Sequence, residues 1–320
     1  VTCRPSAWSG GSSAFHGAAV FLSLSCMRFI RDIHAGKEAA GKPTISFEFF
    51  PFKTPEGEET FFGKTLPALM TAGPDYASVT YGAGGSTREK TLEIVERIQN
   101  DFGLTTMAHL TCIRHTRAEI DGILDEAANR GIQNILALRG DPPPGENWAQ
   151  TEGGFEFASE LVAHLRERGD FGIGVAGFPE GHIDCTEGRD ADWRHLVGKI
   201  NHGADLVITQ IFFDNADYFR LADYLKGQDV AAPLFPGIIP VASAAQIKKF
   251  SAMCGATLPE KFASRLDELG DDAEAVREYG IEYATGQCRE LLERGAPGLH
   301  FYTLNKSKSV LRILDNLGMA

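Results

Sequence analysis

The residue with the clearest chemical potential in this sequence is Glu48, a carboxylate within the aromatic run Ser46-Phe-Glu-Phe-Phe-Pro51. Side chains along a strand alternate between two faces, so Glu48 shares a face with Ser46 and Phe50. Partial loss of hydration there should raise the pKa of Glu48 and keep a proton available at neutral pH. The pattern therefore favours a general acid. A structural ion pair in a buried layer is the alternative, although burying a lone carboxylate without a use is costly.

Four further polar residues end apolar runs and are candidates for ligand contacts: Thr80, His109, Asp141 and Gln210. Asp141 can bind a metal, orient a base or place negative charge beside a cofactor, but a turn residue paired with Arg139 is the simpler interpretation. The amide of Gln210 suits either a hydrogen bond to a heterocycle or a cap on a neighbouring loop. Thr80 and His109 can also serve only to satisfy backbone groups.

Two loops that follow apolar runs are rich in glycine or charge. The loop Tyr81-Gly-Ala-Gly-Gly85 allows a ligand to approach the backbone closely, with an ordinary glycine turn as the alternative. It is not a dinucleotide fingerprint, because Thr87 stands where the third glycine of G-x-G-x-x-G belongs. In the second loop, Arg139 and Asp141 flank Gly140, and three prolines then stiffen the chain.

Eight short apolar runs, each followed by a helical pattern, organise the chain that must position these residues. They cover 45–50, 76–81, 106–111, 135–141, 173–178, 206–210, 234–238 and 299–302. Eight strand–helix units predict a closed (β/α)8 TIM barrel of the α/β class, in which chemistry gathers at the carboxyl ends of the strands. The candidate residues above all fall at those ends, so we expect them to converge in space.

The helices and the domain bounds follow from the same pattern. Capping boxes at 86–89, 116–119 and 243–246 predict helix starts, and the acidic stretch 259–293 predicts extra helices between strands seven and eight. We expect one catalytic barrel over 27–320. Residues 1–26 should be disordered or outside that domain, with Met27 as the natural start. A signal peptide is the alternative, but no small-x-small cleavage site supports it.

Charge and cysteine content exclude several classes of function. The net charge of -12 argues against a nucleic-acid or acidic-membrane surface. The six cysteines form no Cys-x-x-Cys pair, which is typical of reduced thiols in a cytoplasmic protein, and no metal site is expected. No apolar run approaches the roughly 20 residues of a membrane span. The candidate residues favour a barrel enzyme that acts on a sizeable polar-aromatic ligand, but they do not identify the reaction.

Seven strings, taken together and in order, resemble the methylenetetrahydrofolate reductase family. They are Ser46-Phe-Glu-Phe-Phe-Pro51, Ser78-Val-Thr-Tyr-Gly-Ala-Gly-Gly-Ser86, His109-Leu-Thr-Cys112, Ala137-Leu-Arg-Gly-Asp141, Thr209-Gln210 with Phe212-Phe-Asp214, Pro236-Gly-Ile-Ile-Pro240 and His300-Phe-Tyr-Thr-Leu-Asn305. Each string alone is weak, but seven in order are specific. The resemblance covers about 27–317, nearly the whole chain, and leaves out residues 1–26.

The resemblance implies a flavoenzyme with FAD in the barrel mouth. NADH or NADPH would reduce the flavin and leave, and methylenetetrahydrofolate would then take the hydride at the same face, in a ping-pong sequence. Glu48 would be the acid that protonates the folate and helps to open its five-membered ring. Asp141 would tune the flavin and hold the pterin. The substrate would also contact Thr80, Gln210, Leu304 and Lys306.

The resemblance also implies a set of FAD-binding positions and some departures from the family pattern. The FAD positions are Thr80, His109, Arg139, Gly140, Asp141, Phe157, Ala158, Phe178, His182, Asp192 and Lys199. Phe157 and Phe178 stand where tyrosines are frequent, so stacking persists without phenolic hydrogen bonds. No aromatic residue follows Pro240, and Gly198 stands where a basic residue is expected beside the FAD phosphates.

Two alternatives stay open at this point. One is a related flavin barrel that oxidises a small amine or imino acid and needs no acid at Glu48. The other is a catalytically silent barrel that binds folate or flavin. The resemblance favours a homo-oligomer. Because no regulatory domain follows Leu317, we expect a bacterial-type enzyme that uses NADH, with NADPH not excluded.

Overall fold

The computed structural model describes residues 28–81, 88–142, 145, 148–169 and 171–319, so the N-terminal segment 1–26 lies outside the described residues. Its centre is one parallel sheet of nine strands in the order β7-β6-β5-β4-β3-β2-β1-β9-β8. The strands are β1 (Thr44–Phe49), β2 (Tyr76–Val79), β3 (Thr106–Thr111), β4 (Asn134–Leu138), β5 (Gly172–Gly177), β6 (Leu206–Thr209), β7 (Leu234–Phe235), β8 (Gly237–Ile238) and β9 (Gly298–Tyr302).

The nine strands correspond to the eight predicted ones, because Pro236 divides the seventh into β7 and β8. Proline has no N–H to donate to a neighbouring strand, so the ladder is interrupted there. β7 pairs with β6, whereas β8 pairs with β9, and His300 N donates to Pro236 O across the break. The two ends of the sheet thus meet at one proline, and the prediction of a TIM-type barrel is confirmed.

Helices surround this barrel. They are α1 (Ile30–Ala39), α2 (Pro55–Thr60), α3 (Leu66–Met70), α4 (Arg88–Phe102), α5 (Arg117–Asn129), α6 (Ala158–Arg168), α7 (Arg189–Asn201), α8 (Asn215–Gly227), α9 (Ala244–Cys254), α10 (Glu260–Leu269), α11 (Ala273–Glu293) and α12 (Lys308–Asn316), with a π-helical segment Phe61–Thr65 joining α2 to α3. α10 and α11 are the extra helices predicted before the last strand. No described helix is both long and apolar enough to pass through a bilayer.

The helix starts follow the predicted caps where the structure describes them. Thr116 and Glu119 form a reciprocal capping box at α5, and Ser243 accepts from Gln246 N at α9. The capping box predicted at 86–89 includes residues outside the described part of the chain. Each cap pairs backbone N–H groups that the first helical turn leaves free, which fixes where the helix leaves the preceding loop.

The core lies in two layers, and α1 closes the amino end of the barrel. Outward side chains such as Phe47 and Val207 pack beneath the helices, whereas Met107 and Phe235 fill the interior. At the amino end, Ile30 N donates to the Asn134 side chain at 3.0 Å. This plug leaves the carboxyl ends of the strands as the end where a ligand can enter.

Candidate active site

Glu48 lies inside the barrel near the carboxyl end of β1. The register places it between Ser78 of β2 and Tyr302 of β9, and its side chain faces the interior with 4% exposure. Phe47 and Phe49 alternate outward into the helix layer, as the period of a strand requires. The position predicted from the sequence is therefore correct.

Two histidines flank the Glu48 carboxyl group. The Nε2 atom of His109 lies 3.3 Å from Glu48 Oε2, and the Nε2 atom of His300 lies 3.4 Å from the same oxygen. The hydroxyl of Ser78 donates to this oxygen at 3.3 Å. Behind it, Nδ1 of His300 lies 2.8 Å from the Ser46 hydroxyl. The carboxyl is thus the centre of a buried polar cluster built by three strands and completed by β9.

The histidines reverse the direction predicted for the pKa of Glu48. Burial raises this pKa, as expected from the sequence, but the attraction and hydrogen bonding of His109 and His300 outweigh it and lower the pKa to about 2. The prediction that Glu48 itself holds the proton in the unliganded protein is therefore wrong. Its carboxylate is charged, and the two histidines stabilise that charge.

His300 was absent from the site predicted from sequence, although a pattern to find it was present. In the run 299–302, alternation places His300 and Tyr302 on one face, and parallel pairing aligns His300 with Ser46. His300 is fully buried. The run 299–302 alone identifies a strand, and only its pairing with β1 shows that the face bearing His300 meets Glu48.

The residues expected at the folate side lie at the same end of the barrel. Thr80 follows β2 and is half-buried, and its backbone N donates to Phe49 O. Gln210 follows β6, and its side-chain oxygen accepts from the backbone N of the next residue, Ile211, at 2.8 Å. Leu304 is half-buried after β9, and Lys306 is exposed.

The loop after β4 holds Arg139, Gly140 and Asp141. Arg139 is half-buried and pairs with Asp184 at 2.8 Å, rather than with Asp141 as the simpler interpretation proposed. Asp141 is exposed. Gly140 has φ +87°, and a Cβ there would lie 2.6 Å from Ile113 Cγ2. Only glycine fits this turn, which therefore brings backbone, not side chain, to the mouth.

The remaining predicted positions lie on β5, α6 and α7. The rings of Phe178 and His182 meet edge to face at 4.5 Å. Lys199 donates to Ala176 O at 2.5 Å, and burial lowers its pKa to about 8 against the opposing attraction of Asp192. Phe157 is half-exposed beside the start of α6, which begins at the buried Ala158. No group of three or more potential metal ligands occurs among the described residues.

Comparison with known proteins gives one family. The family model for methylenetetrahydrofolate reductase matches residues 32–318. Methylenetetrahydrofolate reductase (NADH) 1 of Zea mays is 41% identical over 295 residues, which are 88% of this chain and 50% of that protein. The 5,10-methylenetetrahydrofolate reductase of Escherichia coli is 38% identical over 282 residues, which are 88% of this chain and 93% of that protein. The chain thus spans about half the length of the plant relatives it matches.

A solved structure gives an independent match to the fold. An uncharacterised protein from Clostridium thermocellum that binds two copies of 5-methyl-5,6,7,8-tetrahydrofolic acid superposes with a TM-score of 0.62. The match covers 90% of this chain and 97% of that chain, at 15% sequence identity. At this identity the likeness supports the barrel fold alone.

Proposed function

This chain belongs to the methylenetetrahydrofolate reductase family, and from that premise we propose that it reduces 5,10-methylenetetrahydrofolate to 5-methyltetrahydrofolate with FAD and NADH or NADPH. The two substrates would use the same face of the site in turn, as a ping-pong reaction. The observation that carries the proposal is the buried Glu48 carboxyl, flanked by two histidines at the open end of the barrel. This cluster can supply the proton that ring opening requires.

The residues at the ends of β3 to β5 fit FAD. Arg139 and Lys199 supply positive charge for its phosphates in a protein of net charge -12. Gly140 packs its backbone directly against Ile113 and Thr111 at the end of β3, which fixes the turn that carries Arg139. Among the described residues, the buried hydroxyl of Thr111 has no hydrogen-bond partner, which suits a bound heterocycle. Bound FAD would supply hydride acceptance from the nicotinamide and hydride donation to the folate.

The chain's own chemistry is proton transfer. The substrate carries a methylene bridge between two nitrogens, and a proton on one nitrogen opens the ring to a cation that accepts hydride. In the unliganded protein the carboxylate of Glu48 is charged, and the Nε2 atoms of His109 and His300 lie within 3.4 Å of it. We infer that substrate binding displaces water and disfavours charge, so that a proton moves from a histidine Nε2 to Glu48 Oε2 and then to the substrate nitrogen.

The substrate-binding roles follow from position. Asp141 is exposed at the mouth, where its carboxylate can accept hydrogen bonds from the pterin. Gln210 is oriented by the bond from Ile211 N to its carbonyl oxygen, so its NH2 group is the donor we assign to the heterocycle. Thr80 and Leu304 would border the ring system, and Lys306 would pair with the carboxylates of the folate.

The test separates the two half-reactions of purified protein loaded with FAD. Rapid mixing with NADH and, separately, NADPH measures flavin reduction, and mixing the reduced protein with methylenetetrahydrofolate measures its reoxidation. Glu48→Gln should slow reoxidation by about 10²- to 10⁴-fold, the usual contribution of a general acid, and leave flavin reduction within about twofold.

The matched control is Glu58→Gln, which changes a half-exposed carboxylate paired with Arg97 on the outer surface. It should leave both half-reactions unchanged. Full-speed reoxidation in Glu48→Gln would exclude the acid role. Protein that takes up no FAD, or that is reduced by neither nucleotide, would instead support a silent barrel.

A further inference from the structure

Two consecutive residues after β9 adopt a backbone conformation that is rare outside glycine. Leu304 has φ +51° and Asn305 has φ +54°. The left-handed region is unfavourable for residues with a Cβ, although asparagine tolerates it better than leucine. Such strain persists only where the surroundings enforce it, and it is frequent at functional sites. The contacts of this turn therefore show what enforces it.

The side chain of Asn305 is hydrogen-bonded to the backbone of Phe50, the residue that follows β1. Its side-chain oxygen accepts from Phe50 N at 2.9 Å, and its side-chain nitrogen donates to Phe50 O at 2.8 Å. The side-chain amide of Asn305 thus supplies Phe50 with the two hydrogen bonds that a neighbouring strand would otherwise make. Both of its bonds reach Phe50, two positions after Glu48.

Thr303 makes a second connection, to the backbone of Glu48 in β1. Its hydroxyl donates to Glu48 O at 2.8 Å, and its backbone N donates to the same oxygen at 3.3 Å. The hydroxyl also accepts from Asn305 N at 3.1 Å, so the connections made by Thr303 and Asn305 are themselves linked by a hydrogen bond. Thr303 is buried.

These hydrogen bonds lie at and just beyond the end of the pairing between β1 and β9. The pairing of β1 with β9 ends at Glu48 opposite Tyr302. Beyond that point the side chains of Thr303 and Asn305 connect the two segments. Leu304 and Asn305 adopt strained backbone conformations to allow this. The result is a fixed relation between the acid and the loop that carries Leu304 and Lys306.

We propose that the turn Thr303–Asn305 is a clamp that sets the position of the folate-bordering loop relative to the Glu48 carboxyl, with Asn305 as its positioning residue. This inference rests on the proposed function. Asn305 does not touch reacting atoms. It acts by keeping the bound substrate's nitrogen within reach of the proton, and a small displacement at such a site is enough to cost about 100-fold in rate.

The test is Asn305→Gly, which removes both side-chain bonds and accepts the left-handed backbone without strain. We expect kcat/KM for methylenetetrahydrofolate to fall by about 10- to 100-fold, with kcat and KM both affected. Flavin reduction by NADH should stay within about twofold, and the melting temperature should change little. Titration with 5-methyltetrahydrofolate gives binding separately, and it should be weaker. Asn305→Asp keeps the acceptor for Phe50 N but sets a carboxylate oxygen against Phe50 O, so it should not restore the wild-type rate.

The matched control is Asp229→Gly, which relieves the same kind of strain (φ +54°) in the loop between α8 and β7, at the opposite end of the barrel. It should leave both half-reactions unchanged. Wild-type folate kinetics in Asn305→Gly would overturn the clamp, as would an equal loss in both half-reactions with a lowered melting temperature. A wild-type protein that does not reduce methylenetetrahydrofolate would overturn the proposed function instead.

Discussion

The two sides of the barrel mouth hold their charges in different ways. The acid side, formed by Glu48, His109 and His300, is buried on three strands, and its three residues are 0 to 7% exposed. The cation side, formed by Arg139 and Lys199, lies on a loop and a helix. Arg139 pairs with Asp184, whose side chain is 55% exposed. The acid side is enclosed by the sheet, whereas Arg139 on the other side is held by a carboxylate at the surface.

This difference suggests different tasks. Charges in a dry interior interact strongly and cannot rearrange at low cost, so the acid side has its geometry before a ligand arrives. An exposed ion pair contributes little to stability, about 0 to 1 kcal/mol, so Asp184 can give up Arg139 to an incoming phosphate. We infer that the acid side is preorganised for proton transfer and that the cation side exchanges protein partners for ligand.

After Glu48→Gln, the largest effect on the acid side is expected from His300→Asn. Removing one of the two histidines should slow folate reduction by about 10- to 100-fold, because Glu48 loses a source of its proton, and leave flavin reduction intact. His164→Gln is the control, because it removes a histidine that pairs with Asp121 in the helix layer, and it should leave both half-reactions unchanged. Equal rates in wild type and His300→Asn would break the comparison, since the cluster would then be dispensable.

The same variant changes the stability of the protein in acid. The pKa of Glu48 is lowered to about 2 from 4.5, so this carboxylate stabilises the fold above pH 4.5, and the stabilisation is lost as the pH falls from 4.5 toward 2. Without His300 the pKa of Glu48 should rise, so less stability is lost over this range. Urea unfolding at several pH values measures the slope, and identical slopes would contradict the prediction.

A comparable effect is expected on the cation side, with Lys199→Met. Burial lowers the pKa of Lys199 to about 8, so its ammonium is charged below that pH and neutral above it. FAD affinity should therefore fall as the pH rises through about 8, and Lys199→Met should remove this dependence. At pH 7 the variant should bind FAD about 10- to 100-fold more weakly, the usual worth of a hydrogen bond to a charged group.

Quenching of flavin fluorescence measures this affinity across the pH range. Lys226→Met, at an exposed position of α8, is the control and should bind FAD like the wild type at every pH. A wild-type affinity that is flat between pH 7 and 9 would show that Lys199 does not meet the phosphates.

The fold could be predicted because its information is local. Strands buried on both faces read as continuous apolar runs, and all eight appear where the runs lie. The extra helices before β9 were visible in the same way. The break at Pro236 was also readable, since a proline cannot donate to its neighbour, but its consequence for closing the barrel depends on which strands flank it.

The site was only partly predictable because its properties depend on residues far apart in the chain. The inward position of Glu48 follows from the alternation of one strand. The direction of its pKa shift does not, because burial and the two histidines act in opposite directions and only distances decide between them. The partner of Arg139 was likewise missed, since Asp184 comes from a loop after a different strand.

The smallest expected effect sharpens the comparison by adding charge to the side that exchanges partners. Gly198 lies on α7 next to Lys199, where the family resemblance predicts a basic residue, and a Cβ there would meet nothing within 4 Å. Gly198→Arg should tighten FAD binding by up to about fivefold, because a solvent-exposed ion pair is worth 1 kcal/mol at most. Gly198→Ala is the control that separates the effect of charge from the effect of helix propensity. Both substitutions should stabilise the helix by about 0.5 to 1 kcal/mol, but only the arginine adds charge. If the two variants bind FAD equally, the phosphates lie elsewhere; if only the arginine tightens binding, and less so at high salt, the open cation side is where they dock.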